Sequence, residues 1–260
     1  MSIKIEDCIF ASPEQMKFVI IGMRNPMNSW DKSDSGVCFK TLACHSCHEN
    51  RNNCKKNIDS GSFILGENDK SLMQRLSKAG SEHRKYLRML PVWCNITAPL
   101  YWWKEFETYS VGVAPNPSDI TSNSCSTMHK IAAKEFTLED FSCDHLLCGS
   151  VLDDVPNNDG KWVRFNGSGC LKDTIGMLNR ARNLYLQTKD KRFWWQMIQL
   201  LPSSYNQKRS IFMNGEVLLN IYNQRWGHKL DEWREVCFFI EDCPYWDFIE
   251  PGVFKKVKGE

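Results

Sequence analysis

The chain has 260 residues, 42% hydrophobic and 25% charged, with 33 Lys and Arg against 31 Asp and Glu. That is enough apolar material for one large domain or two small ones, and the net charge of +2 argues against a disordered chain or a dedicated nucleic-acid binder. No apolar run approaches the roughly 20 residues that cross a bilayer. The opening MSIKIEDCIF lacks a basic region followed by a long apolar stretch, so membrane and secreted classes are disfavoured and a cytoplasmic protein is expected.

Residues 1–30 read as a strand-and-loop opening, with Phe18, Val19, Ile20 and Ile21 as a short apolar run bounded by Gly22. Arg24 to Trp30 is a polar loop that either reaches a ligand or forms a surface turn on a buried Trp. From Trp30 to about Asn68 the chain is polar and has neither helical nor alternating period, which reads as an inserted loop or metal-stabilised knob. A helix is predicted from about Lys70 to Lys78, resuming through Glu82 to Leu87. Pro99 is placed in the first turn of a helix from Leu100 to Tyr109, residues 112–123 form a loop, and Ser124 to Lys134 is predicted helical.

Thr137-Leu-Glu-Asp140 has capping-box spacing before Phe141. Residues 150–170 are irregular, with a turn at Pro156 to Gly160. Leu171, Ile175 and Leu178 share one helical face, and Phe193 to Leu201 is a second apolar segment. Ser204-Tyr-Asn-Gln207 reads as a capping box opening a helix that runs to Arg225. The pairs Trp102-Trp103 and Trp194-Trp195 are expected in cores or interfaces.

On that last predicted helix, at 100° per residue, Val217, Leu218 and Ile221 lie within roughly 60° of Asn214, and Arg225 returns to within roughly 20° of it. An amide and a guanidinium thus fall in line with an apolar face. Either Arg225 reaches water or a core carboxylate, or its charge is met by a ligand. Asn220 projects about 120° away.

Twelve cysteines, with no export signal, are expected as reduced thiols or metal ligands. Cys38, Cys44, Cys47 and Cys54 form the best metal candidate: a C-x2-C pair with two further thiols completes a tetrahedral set for a structural zinc or an iron–sulfur cluster, and free thiols remain the alternative. Cys143, His145 and Cys148 are assigned to packing, as are Cys237 and Cys243. His83, beside Arg84 and Lys85, reads as a surface residue.

Two blocks resemble the flavin-dependent thymidylate synthases, in a divergent form like those of bacteriophages. Ile96-Thr-Ala-Pro-Leu-Tyr-Trp-Trp-Lys-Glu-Phe-Glu-Thr-Tyr-Ser110 followed by Asn123-Ser-Cys-Ser-Thr-Met-His129 is similar to the family's signature, APxxxxRQWxRHR…SxNExSxRY. Leu201-Pro202, then Asn214, Asn220 and Arg225, then His228 and Trp233, is similar to its C-terminal pattern. Glu82-His83 is similar to its upstream Glu-His pair. The resemblance covers about residues 77–240. It implies an α+β fold, with a central antiparallel sheet flanked by long helices as in the thymidylate synthase-complementing proteins. Residues 1–76 would be an extension with the Cys-rich insertion, and 77–260 the synthase-like domain.

The resemblance further implies methylation of a pyrimidine deoxynucleotide, dUMP to dTMP. FAD would be the cofactor, methylene-tetrahydrofolate and NADPH the co-substrates, and the sites would be shared in a homotetramer. Arg225 would contact the uracil carbonyl and stabilise charge in the transition state, and Ser126 would bond the nucleotide phosphate. Glu105 and His129 fall on the substrate side. Glu82, Thr108, Tyr109, Ser110, Asn123 and Asn220 fall on the flavin side. The sequence departs from the family where Thr108, Tyr109 and Ser110 replace its arginine-histidine-arginine triplet, where Ser124 and Met128 replace a Glu and an Arg, and where Glu216 replaces an arginine. The departures leave an alternative open: a non-catalytic or altered-chemistry nucleotide-binding homologue.

Overall fold

The computed structural model describes residues 3–38, 61–109, 120–150 and 154–246. In chain order the elements are β1 (Lys4–Phe10), α1 (Pro13–Arg24), β2 (Gly36–Val37), β3 (Phe63–Ile64), α2 (Glu67–Lys78), β4 (Pro91–Pro99), α3 (Leu100–Phe106), β5 (Ile120–Ser124) and α4 (Thr127–Lys130). They continue with β6 (Asp154–Pro156), β7 (Trp162–Arg164), α5 (Gly167–Thr188), α6 (Lys191–Leu200), β8 (Asn206–Asn214), α7 (Gly215–Arg225) and α8 (Asp231–Glu241). The fold is α+β, as expected. A four-stranded sheet has the order β1-β4-β8-β5, and β2-β3 and β6-β7 form two short antiparallel pairs.

The chain divides into two compact units. The first comprises Met1–Glu6, Asn95–Val111 and Ser122–Ser210; the second comprises Asp7–Cys94, Gly112–Thr121 and Ile211–Glu260. In the first unit, α5 and α6 bury Leu171, Leu178, Ala181 and Met197 with Ile131, Phe136 and Phe141, and Ile175 packs against the same cluster. That matches the helical face predicted from Leu171, Ile175 and Leu178. Asn179 locks this core to the chain by donating to the Phe136 carbonyl and accepting from the Phe136 N–H, both at 2.8 Å. The capping box at Thr137 and Asp140 is present, closing a 3-10 turn. The turn at Pro156–Gly160 joins the β6-β7 hairpin, within the stretch expected to be irregular.

Of the strand-and-loop opening expected over residues 1–30, the strand is present as β1, and in the second unit α1 takes the place of the loop. Met16, Val19, Ile20 and Met23 recur at helical spacing and are buried, while Phe18 is 65% exposed. Ser12 and Gln15 form a reciprocal cap at its start. The predicted helix at 70–78 is present and begins earlier, at Glu67. Its N-terminus is capped from a distance. The Asp34 carboxylate accepts from the Asn68 and Asp69 N–H groups at 2.9 and 3.1 Å. Position 66 must be glycine for this approach, since a Cβ there would overlap Asp34. Together with the β2-β3 pairing, Asp34 closes a clasp at the two ends of the segment between residues 38 and 61.

Three further expectations are corrected. Pro99 does not sit inside a helix; it ends β4, whose Val92, Cys94, Ile96 and Ala98 alternate inward, and it precedes α3. The helix predicted from Tyr205 to Arg225 is a strand followed by a helix. β8 runs to Asn214, and the Asn214 side chain then caps α7 by accepting from the Val217 N–H at 3.1 Å. Gln207, Ile211 and Met213 recur at even spacing and are buried, which is a strand period. The capping box proposed at Ser204–Gln207 is therefore absent. Likewise, the helix expected over Ser124–Lys134 shrinks to the single turn of α4.

Candidate functional site

In the first unit a hollow of about 360 Å³ is lined by the turn Cys125-Ser126-Thr127, by Tyr205 to Lys208 on and before β8, and by Lys4, Lys134 and Asp140, among others. Its position follows from local folding. The Cys125 N–H donates to the Lys208 carbonyl at 3.0 Å, which ends the β5 edge and turns the chain into α4. Ser126 is the N-cap of α4: its Oγ accepts from the His129 N–H at 3.1 Å and lies 3.2 Å from His129 Nδ1. One turn is too short to build a macrodipole, so the hydroxyl and the surrounding side chains, rather than a helix end, carry the chemistry here.

Three ammonium groups line this hollow, and each has a carboxylate nearby. Lys134 pairs with Asp140, Lys4 lies 2.5 Å from Glu6, and Lys208 lies 4.0 Å from the same Glu6. Burial and the neighbouring Asp140 raise the Tyr205 phenol above its usual range, so it remains a neutral hydroxyl at physiological pH. Asn206 Oδ1 is buried without a hydrogen-bond partner among the described residues. Such an acceptor is costly to leave unmade.

Of the other residues singled out in this unit, His129 and Asn123 are exposed. Glu105 is half-buried on α3, where its carbonyl accepts from the Thr108 hydroxyl at 2.6 Å. Tyr109 is buried at 3% exposure, and Ser110 lies outside the described residues.

The second unit holds Arg225, Asn220 and Glu82. Arg225 ends α7 half-buried, with its guanidinium carbon 4.6 Å from the centroid of the buried Trp233 ring, which also makes a T-shaped contact with His228. Asn220 Oδ1 faces Arg84 Nη2 at 3.4 Å, and Arg84 Nε meets both oxygens of the buried Glu216 at 3.1 and 3.0 Å. Glu82 is exposed beside Lys85. The polar loop at Arg24–Trp30 is organised by an ion pair that the sequence reading did not foresee. The guanidinium of Arg24 is buried, donating from Nε to Asp69 at 2.5 Å and from Nη1 and Nη2 to the carbonyls of Ser29 and Lys32. Trp30, which one of the two readings of this loop would bury, is 50% exposed and donates its indole N–H to Asn25.

Burial alone would push the Asp69 carboxyl up, but hydrogen bonds from Ser35, Ser33 and Arg24 outweigh it and hold the group below the usual carboxylate range.

Cys38 is buried, and Cys44, Cys47 and Cys54 lie outside the described residues. Among the described residues no group of His, Cys, Asp and Glu is arranged to hold a metal ion. Burial pushes the Cys94 and Cys237 thiols up to about 12, Cys8 adding to the first and Glu241 to the second. Both are inert at neutral pH. Cys125, in contrast, is exposed on the rim of the hollow. No helix among the described residues is long and apolar enough to cross a membrane.

The sequence reading found Ser126 but missed Gln207 and Arg209, because it placed both in a helix. The available signal was the even spacing of Gln207, Arg209 and Ile211. Gln207 is buried and Arg209 stacks on Trp103 at 4.3 Å.

The arrangement of elements is the flavin-dependent thymidylate synthase fold. A structure of the flavin-dependent thymidylate synthase ThyX from Helicobacter pylori, complexed with FAD and dUMP, is similar with a TM-score of 0.51 at 13% identity, covering 96% of this chain and 98% of that one. A second structure of thymidylate synthase X from Helicobacter pylori, with FAD and dUMP, is similar with a TM-score of 0.55 at 13% identity, covering 96% and 97%. No family model matches the sequence, and no curated protein matches it significantly.

Proposed function

We propose that the protein binds a pyrimidine deoxynucleotide and acts as a thymidylate synthase-like transferase, methylating dUMP with methylene-tetrahydrofolate and a reduced flavin. The observation that carries the reading is Ser126: within a fold shared with enzymes crystallised with FAD and dUMP, this serine stands on the rim of a hollow of about 360 Å³ that also presents Lys134 and Lys208. In this reading the Ser126 hydroxyl donates to a phosphate oxygen, and the ammonium groups exchange part of their carboxylate pairing for the phosphate. Asn206 gives a donor on the ligand an acceptor to meet. The resemblance gives Arg225 the role of answering charge that develops at a uracil carbonyl, and Trp233 fixes its guanidinium plane. His129 and Glu105 serve the substrate, and Asn123, Asn220 and Glu82 the flavin. In this reading the protein works as a homo-oligomer.

The residues at 108 and 109 fit a flavin diphosphate poorly. The Thr108 hydroxyl is committed to the Glu105 carbonyl, Tyr109 is buried, and neither is a cation. Arg84, the guanidinium beside Asn220, is engaged by Glu216. The same observation favours a second reading, a nucleotide-binding homologue with altered chemistry or none.

Two measurements on the purified protein decide between them: an absorbance spectrum with and without added FAD, and calorimetric titration with dUMP. Flavin retention together with dUMP binding is the expected result for the enzyme. Binding of dUMP with no flavin taken up selects the second reading. Absence of both removes the nucleotide proposal.

A further inference from the structure

The turn that carries Ser126 has little apolar anchoring of its own. From Thr121 to Lys130 every residue is exposed except the half-buried Thr127, and the next buried side chain is Ile131. Something other than core packing must therefore hold the hydroxyl in place. Backbone pairing of Cys125 with Lys208 supplies one tie, and the Trp194 indole, donating to the Met128 carbonyl at 3.2 Å, supplies another.

A third tie comes from β8. Gln207 is buried, and its Nε2 donates both to the Cys125 carbonyl at 2.9 Å and to Thr127 Oγ1 at 2.7 Å. Its Oε1 accepts from Arg209 Nε at 2.9 Å. A guanidinium can only donate and a main-chain carbonyl can only accept, so these partners leave the carboxamide one orientation: oxygen toward Arg209 and nitrogen toward the turn. Arg209 is in turn held by the Trp103 ring, 4.3 Å from its guanidinium carbon, and by Glu107 Oε1 at 2.6 Å from Nη1. The Trp103 indole also donates to the Gln207 carbonyl at 3.0 Å. One chain of contacts therefore runs from Trp103 and Glu107 through Arg209 and Gln207 to both neighbours of Ser126.

We infer that Gln207 and Arg209 are positioning residues that fix the Cys125–Thr127 turn and thereby aim the Ser126 hydroxyl into the hollow. The inference rests on the reading of Ser126 as a nucleotide contact. Arg209 orients the amide of Gln207, and Gln207 grips the turn on either side of the serine. The two act through the turn and not on the ligand.

The test combines peptide-resolved hydrogen exchange over residues 122–131 with dUMP calorimetry. The proteins compared are the wild type and the variants Ser126→Ala, Gln207→Met, Thr127→Val, Arg209→Met and Arg209→Lys. Gln207→Met and Thr127→Val are expected to speed exchange in the turn and to weaken dUMP roughly tenfold, the worth of one hydrogen bond. The double variant should be no weaker than Gln207→Met alone, because both remove the same grip. Arg209→Lys, which keeps a cationic donor, should bind better than Arg209→Met. Thr127 is only half-buried, so Thr127→Val decides the matter even where Gln207→Met folds poorly. If dUMP binds and Ser126→Ala weakens it, while Thr127→Val and Gln207→Met alter neither exchange nor affinity, the positioning inference is overturned and the nucleotide reading stands. If the wild type does not bind dUMP, both fall.

Discussion

Three arginines of the second unit end on protein: Arg24 on Asp69 and two carbonyls, Arg84 on Glu216, Arg225 over the face of Trp233, while a fourth, Arg88, has a buried Nε with no partner among the described residues. Around Ser126 in the first unit, polar side chains instead surround an opening, and one buried acceptor there, Asn206 Oδ1, has no partner among the described residues. A polar group saturated by its own chain contributes to folding and costs nothing further. A polar group facing a hollow is preorganised for something that arrives later. By that criterion Arg24 is structural, and Ser126 and Arg225 are the residues on which the contrast must be tested.

Experiments can break this contrast, beginning with the largest effect. Asp69→Ala strips the buried Arg24 of its partner and is expected to cost about 3–5 kcal/mol in urea unfolding. The same pair has a pH signature. The Asp69 carboxyl titrates lower in the folded than in the unfolded chain, so its contribution is complete above the unfolded value of about 4 and is lost as pH falls through the lower folded value. Unfolding midpoints should therefore drop on acidification in the wild type and drop less in Asp69→Ala.

Next in size, Arg225→Ala should weaken dUMP about a hundredfold, the worth of a charged hydrogen bond, while costing only about 0.5–1 kcal/mol of stability through the lost ring contact. A large stability loss with unchanged affinity would move Arg225 to the structural side. Ser126→Ala should reduce affinity roughly tenfold, with a stability change of about 0.5 kcal/mol because the helix it caps is a single turn. Smallest of all, Glu82→Gln removes an exposed pair with Lys85 and should leave the unfolding free energy within about 0.5 kcal/mol.

Legibility followed burial and period. The α5-α6 face was readable because Leu171, Ile175 and Leu178 repeat at helical spacing, and α2 because its apolar residues do the same. β8 was misread because Asn206–Asn214 runs directly into α7. A strand and a helix joined without a turn read as one continuous segment, and Asn214 looks like a helix-face residue when it is the cap between them. That misreading also hid Gln207, whose role depends on which side of the strand it occupies. The Arg24–Asp69 pair was invisible for a different reason: its partners are far apart in the chain, and nothing in local spacing announces them.

The clasp at Asp34 and Gly66 has an evolutionary and practical consequence. With β2 zipped to β3 and one carboxylate capping α2 across the gap, residues 39–60 depart from and return to adjoining points of the scaffold. Closure entropy rises only slowly with length, so such a junction tolerates cassettes of very different size. Swapping residues 39–60 for a short Gly-Ser link would turn the question of what the cysteine-rich stretch contributes into a simple exchange of one module for another.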